Sequence, residues 1–255
     1  MKMKNVLFAM IGMGMLAVTP SCKKGENDPF LSLSSRKARM AGEYEIDSWV
    51  TYTKETDPDG VVTEETTDLS GASGTQITKT TDGGSTVTST KNIVVDQAMF
   101  SFTKDGTWES EFNTTTTWTE EGGGWLVDEY HYTVVETMTE SGTWSFLGGQ
   151  PEDYKNKERV MLNVLESEST SQTTTETDFT DGSSSTETGD LYGYEETNAS
   201  GEYTMVYMID MLKGKEMVLK QDLTGEYSNS TTSGGVTNTF TVMQSGEVEI
   251  QLTEE

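Results

Sequence analysis

Residues 98–112 read AMFSFTKDGTWESEF and carry the clearest structural signal in the chain. Phe100 and Phe102 fall on one face before the Lys-Asp-Gly turn, and Trp108 and Phe112 share a face after it. Asp-Gly supplies the positive φ that tight hairpins require, and successive side chains on a strand point to opposite faces. The stretch therefore predicts an antiparallel hairpin with one buried apolar face and one solvated acidic face.

The same pattern extends along the chain. Glycine-containing turn signals occur at 57–60, 82–84, 104–106, 122–124, 181–182, 233–235 and 245–246. Later runs repeat the alternation, with apolar positions at Tyr203, Met205, Tyr207, Ile209, Val248, Ile250 and Leu252. No long segment has helical periodicity, which argues against a parallel sheet with crossover helices. The sequence predicts an all-β fold, an antiparallel up-and-down meander, over residues 32–255.

Three segments are rich in Thr, Ser and Glu: 77–90, 112–121 and 166–188. Threonine-rich strands can pair through their backbones and hydroxyl groups while burying little apolar surface. We therefore expect long Thr-rich hairpins that extend past the core. For residues 166–188 the alternative is disorder, because only Phe179 is a large apolar residue there.

The N-terminus has the pattern of an export signal. Lys2 and Lys4 precede an apolar run of roughly a dozen residues, shorter than the ~20 that a permanent membrane helix needs. We expect residues 1–21 to be a cleaved signal peptide and Cys22, the only cysteine, to begin the mature chain. Residues 22–31 then form a polar tether, and 32–41 a short helix that Gly42 ends.

Cys22 follows Thr-Pro-Ser and precedes Lys-Lys-Gly-Glu-Asn-Asp, which resembles a bacterial lipobox. Gly42-Glu43-Tyr44, after the short helix, resembles the G-x-W entry of lipocalins. Segments that resemble lipocalin-like lipoproteins of Bacteroidota lie at 22–30, 35–39, 102–108, 142–144, 154–159 and 212–219. The resemblance implies a lipocalin-like barrel, lipid-anchored at the outer membrane through Cys22, without implying a particular ligand. Which face of that membrane it occupies, and whether the barrel closes, stay open.

The chain is strongly acidic, with a formal charge of −26. Cleavage of the signal peptide removes two lysines and no acid, leaving −28. Such a charge excludes nucleic acid as a partner and repels anionic membranes, so a lipid must hold the protein to its membrane. We expect a monomer.

The sequence contains no recognisable catalytic constellation. His131 is the only histidine, which excludes metal sites with two histidines, and the single cysteine excludes thiolate clusters. On a strand Glu129 shares the face of His131, but no nearby serine completes a catalytic relay. We expect a half-exposed sheet histidine, no enzyme activity, no metal and no cofactor.

The most informative aromatic set comprises Trp108, Trp118, Trp125, Trp144, Tyr130 and Tyr132. Such residues can line an apolar pocket, stack on a partner or pack in the core. The leading hypothesis is a small hydrophobic ligand inside the barrel, against Trp108, Phe112, Trp144 and Tyr207. The alternative is a surface interaction or adhesion domain that acts through the Thr-rich hairpins, with Trp118 and Trp125 exposed.

Overall fold

A computed structural model describes residues 36–124, 126–147, 158–233 and 236–254. The predicted signal peptide 1–21, the lipidation site Cys22, the tether 22–31 and the first part of the predicted helix lie outside the described residues, as does Trp125. Within the described ranges, no helix is both long and apolar enough to cross a bilayer.

The described residues form one short helix, α1 (Arg36–Met40), and thirteen strands. The strands are β1 (Gly42–Thr56), β2 (Val62–Ser70), β3 (Ser73–Asp82), β4 (Ser85–Phe102), β5 (Thr107–Glu121), β6 (Val127–Leu147), β7 (Glu158–Phe179), β8 (Ser184–Thr188), β9 (Tyr192–Thr197), β10 (Thr204–Lys213), β11 (Glu216–Asp222), β12 (Gly225–Ser233) and β13 (Val236–Glu254). Every strand pairing is antiparallel. The predicted all-β antiparallel class is confirmed.

Eight strands form a closed ring of hydrogen bonds, in the order β1, β4, β5, β6, β7, β10, β11, β13 and back to β1. At the base of this barrel Gly42–Glu45 pairs directly with Met99–Phe102. From Ser48 onward β2 and β3 lie between β1 and β4, so the wall widens toward the other end. Strands β8 and β9 pair with β7, and β12 pairs with β13, as further additions to the ring.

The hairpin predicted over 98–112 is present. Phe102 lies opposite Trp108, and Ala98 lies opposite Phe112. Between the strands the Thr103 amide donates to the Thr107 carbonyl at 2.9 Å, and Gly106 has a φ of 97°. The glycine supplies a backbone conformation that other residues rarely adopt.

The base of the barrel is filled by a single apolar core. Its fully buried side chains are Met40, Tyr44, Leu162, Trp108, Val160, Val164, Leu212, Met217, Leu219, Ile250 and Leu252. Helix α1 closes this end, because the Arg39 guanidinium donates to the Leu212 carbonyl at 2.6 Å and the Tyr44 hydroxyl donates to the Arg39 carbonyl at 2.8 Å. Contacts at the base therefore tie the helix to β1 and β10.

The Thr-rich segments are continuations of the barrel strands. Strands β6 and β7, of 21 and 22 residues, pair from the base to Val127 and Phe179. Residues 166–179 and 184–188 are thus in strands, which confirms the long Thr-rich hairpins. Hydroxyl pairs such as Thr81 with Thr86, 2.9 Å apart, link neighbouring strands there.

Candidate functional site

Two aromatic side chains form a floor where the packed core of the barrel ends. The rings of Trp49 and Phe112 meet edge to face, with centroids 5.1 Å apart. Phe112 in turn meets Phe100 of the core edge to face at 6.0 Å. Both floor residues are only partly buried and pack against the core cluster. An apolar surface therefore faces away from the core toward the wide end of the barrel.

An irregularity in β1 brings Trp49 to this floor. Tyr44 and Ile46 are buried, so strict alternation would turn Trp49 to the opposite face. The pairing of β1 with β13 shifts register between Ile46 and Ser48, which makes Asp47 an extra, bulged residue. Trp49 therefore points to the same face as Tyr44 and Ile46. The Gly71 amide donates to the Asp47 carbonyl at 2.9 Å and holds the irregularity in place.

Above the floor lies an open cavity of about 490 Å³, which we call the mouth chamber. Its lining residues are Trp49, Thr51, Thr67, Leu69, Phe112, Thr114, Glu136, Thr137, Met138, Ser169, Thr170 and Ser171. Leu69 and Met138 lie opposite Trp49 and Phe112 in the strand register, so the apolar part of the wall adjoins the floor. Hydroxyl groups make up most of the remainder.

The side chains of the mouth chamber offer apolar surface and hydroxyl groups to a ligand. The Trp49 indole N–H donates to Thr51 Oγ1 at 2.7 Å, so the floor has no unsatisfied donor at that position. Among the described residues of the lining, Glu136 is the only ionisable one, and none is a histidine, lysine or cysteine. Several hydroxyl groups can donate to or accept from a polar part of a ligand.

Of the four side chains predicted to bind a ligand, only Phe112 lines the mouth chamber. Trp108, Trp144 and Tyr207 are buried in the core beneath it, with exposed fractions of 1%, 5% and 3%. Their polar atoms are engaged there: the Trp108 indole donates to the Asn163 carbonyl at 3.3 Å and the Trp144 indole to the Thr103 carbonyl at 3.1 Å. Burial raises the pKa of Tyr207, and the charge of Glu140 adds to the effect.

Sequence reasoning missed Trp49, Leu69 and Met138. Met138 and Trp144 are six residues apart in β6 and therefore point to the same face, so alternation along that strand could have identified Met138. Leu69 is the only large apolar residue of β2 apart from Val62, which is a weak signal. Trp49 could not be found by alternation because the bulge at Asp47 reverses its face.

The aromatic pair farther along the wall is not a free surface. Trp118 and Tyr132 face each other across β5 and β6 and stack with centroids 4.8 Å apart. The Lys91 ammonium lies 4.4 Å from the Trp118 ring centroid, and the Trp118 indole donates to Glu120 at 3.0 Å. These contacts cover part of the Trp118 ring and engage its indole N–H. The adhesion hypothesis predicts an exposed Trp118, and these contacts reduce the surface that it can offer to a partner.

A second cavity, of about 400 Å³, is lined by carboxylates. Its acidic residues are Glu109, Glu111, Glu140, Glu166, Glu168, Glu195 and Glu196. Burial raises the pKa of Glu140 above the usual range. An apolar or anionic ligand gains little from such a lining, so the mouth chamber is the better candidate.

The fold and the chamber define the molecule as an antiparallel β-barrel with a filled base and an open, partly apolar mouth. Comparison with models of protein families, with curated proteins and with solved structures finds no match to this chain.

Proposed function

We propose that this protein is a non-enzymatic lipoprotein of the outer membrane, anchored through Cys22, that holds a small hydrophobic ligand in the mouth chamber. The observation that carries the proposal is the aromatic floor of Trp49 and Phe112, which exposes apolar surface inside a concave site. Apolar side chains with a few polar groups in a concave cavity are typical of ligand sites.

The dimensions and charge of the chamber narrow the ligand class. A volume of about 490 Å³ lies within the ~300–1,000 Å³ that small-molecule sites occupy. Glu136 and the overall charge of −26 disfavour anionic ligands. A neutral molecule with an apolar body and one or two hydroxyl or amide groups would fit, with its body on Trp49 and its polar end among the threonines.

The anchor follows from the N-terminal residues. The proposed lipid on Cys22 precedes a polar tether, and about 0.8 kcal/mol per buried methylene makes attachment by several acyl chains stable. A tether keeps the barrel next to the membrane, where hydrophobic molecules are available. The proposal also accommodates a monomer, since the chamber is built from residues of one chain.

We predict that Cys22→Ala abolishes acylation and releases the protein from the membrane fraction, because no other cysteine can accept the lipid. Membrane partition after cell fractionation and the intact mass of the purified chain test this. An acylated or fully membrane-bound Cys22→Ala protein would contradict the anchor.

We predict that Leu69→Glu weakens binding of the neutral fluorescent probe N-phenyl-1-naphthylamine by at least about tenfold, because a carboxylate would enter the apolar wall of the chamber. The matched control is Val50→Glu. Val50 follows Trp49 in β1 and is exposed on the opposite face. The Val50→Glu substitution therefore adds the same negative charge outside the chamber.

The measurement is a fluorescence titration of the full chain and both variants in the same detergent. Leu69 is only half-buried, so both variants should keep the circular dichroism spectrum of the parent. Equal probe affinity in Leu69→Glu and Val50→Glu, or no saturable binding by the parent, would rule out the mouth chamber as the site.

A second candidate function, surface interaction or adhesion, is favoured by one group of exposed side chains. Leu191, Tyr192, Tyr194 and Tyr203 are all at least about half-exposed, with Tyr192 reaching 80%. Exposed tyrosines are common in protein interfaces because they combine apolar area with a polar tip. Native mass spectrometry of the chain from its own host separates the two functions, since a co-purifying small molecule supports the mouth chamber.

A further inference from the structure

His131, the only histidine of the chain, lies between two carboxylates. Side chains alternate along β6, and Glu136 and Met138 line the mouth chamber, so His131 points to the other face of the sheet. His131 Nε2 is 3.1 Å from Asp178 Oδ2 and 3.5 Å from Glu129 Oε2. One ligand atom from each of the three side chains lies within 4.8 Å of the other two. All three residues are partly exposed, so ions can reach the group from solvent.

Strand register assembles the group from two strands. Glu129 and His131 are two residues apart on β6 and therefore share a face. Asp178 of β7 lies directly opposite Glu129. On the other side of β6, Thr119 of β5 lies opposite His131, and its Oγ1 is 3.3 Å from Nδ1. The contact leaves Nε2 as the nitrogen that faces both carboxylates.

The two separations from Nε2 are close to those of ligands on one metal ion. Zinc binds imidazole nitrogen and carboxylate oxygen at about 2.0–2.2 Å, which places neighbouring ligands of a tetrahedral ion about 3.3–3.6 Å apart. The separation of 3.5 Å lies within this range, and that of 3.1 Å is slightly shorter. A polar group on the second imidazole nitrogen, as Thr119 provides, is the usual means of orienting a histidine ligand.

We propose that Glu129, His131 and Asp178 form a binding site for a divalent first-row transition metal, with Zn²⁺ as the representative ion. Imidazole selects such ions over Mg²⁺ and Ca²⁺, which prefer ligand sets made of oxygen alone. This inference is independent of the mouth chamber, because its residues lie on the other face of the sheet.

The site has room for further ligands. A cavity of about 600 Å³ adjoins it and is lined in part by His131, Asp178, Glu176 and Trp118. Glu176 lies directly opposite His131 in β7 and adds negative charge. With three protein ligands, water or a small donor molecule from this cavity would complete the coordination of the ion.

Isothermal titration of the metal-stripped full chain in detergent with Zn²⁺, near neutral pH and at physiological ionic strength, tests the site. We expect one saturable Zn²⁺ per chain that excess Mg²⁺ does not displace. His131→Gln and Asp178→Asn should each weaken Zn²⁺ binding at least about tenfold, since each removes a ligand. The matched control Asp68→Asn removes an exposed carboxylate of β2 and should bind as the parent does.

A second readout uses the single imidazole. Because the chain has one histidine, its ring gives one set of nuclear magnetic resonance signals, which should move on addition of one equivalent of Zn²⁺. Equal Zn²⁺ affinity in all four proteins, or displacement by Mg²⁺, would mean diffuse attraction to an acidic surface and would overturn the proposal. If the parent bound no Zn²⁺, the three side chains would form only an ion pair, and the proposal would be overturned as well.

Discussion

Replacing Trp108 by alanine is expected to lower the free energy of unfolding by about 3–5 kcal/mol, the cost typical of removing a large buried aromatic side chain. The indole is 1% exposed and lies 6.2 Å from the ring of Phe100, centroid to centroid. Its N–H also donates to the Asn163 carbonyl. The substitution would leave a cavity at the base of the barrel and remove this hydrogen bond, so both apolar packing and hydrogen bonding are lost.

The control for Trp108→Ala is Trp118→Ala, which removes the same side chain from the Thr-rich part of the wall. Trp118 is partly exposed and stacks on Tyr132, so its loss should cost only about 1 kcal/mol. Urea unfolding of the full chain, followed by far-ultraviolet circular dichroism, measures both changes. Similar losses of stability in the two variants would mean that Trp108 is not a core residue.

The local features of the fold could be predicted because each depends on neighbours in sequence. The Asp-Gly turn and the alternation around Phe100 and Trp108 specify a hairpin and its buried face without reference to the rest of the chain. The alternation of Val248, Ile250 and Leu252 was correct for the same reason, and all three are buried. The same alternation predicts Tyr203 on the buried face, which is wrong, because Tyr203 precedes β10, which begins at Thr204, and is 49% exposed.

Closure of the barrel could not be predicted, since it depends on pairings between distant residues. Gly42–Glu45 must pair with β4, some 55 residues later, and β1 must pair with β13 at the other end of the chain. Nothing local distinguishes the hairpin of β2 and β3 as an insertion into this ring. The bulge at Asp47 also has no recognisable signal in the sequence, yet it determines the face to which Trp49 points.

The candidate site was only partly predictable for a related reason. Alternation shows which side chains point into a barrel, but it does not show how far along the axis they lie. Trp108, Trp144 and Tyr207 point inward as expected, and all three lie at the filled base. Phe112 lies at the level where the core ends and the chamber begins, because β5 continues for nine residues beyond it.

Gly142→Ala is expected to destabilise the protein by about 3 kcal/mol, at the upper end of the cost of inserting a methyl group into a packed position. Gly142 lies opposite Trp108 in β6, next to the register shift between β6 and β7. A methyl group there would meet the backbone carbonyl oxygen of Asn163 at 1.9 Å. The clash is with the backbone of β7, so relieving it requires β6 and β7 to move apart, which disrupts the base of the barrel.

The matched control for Gly142→Ala is Gly193→Ala in β9. No atom lies within 4 Å of a methyl group at Gly193, and its backbone does not require glycine. The control should therefore change the free energy of unfolding by less than about 0.5 kcal/mol, as exposed substitutions usually do, or stabilise slightly by restricting the unfolded chain. Urea unfolding of the two variants compares the same chemical change at two places. If Gly142→Ala proved as harmless as Gly193→Ala, strands β6 and β7 would have to be farther apart at the base than their register implies, and the packing of Trp108 against them would need revision.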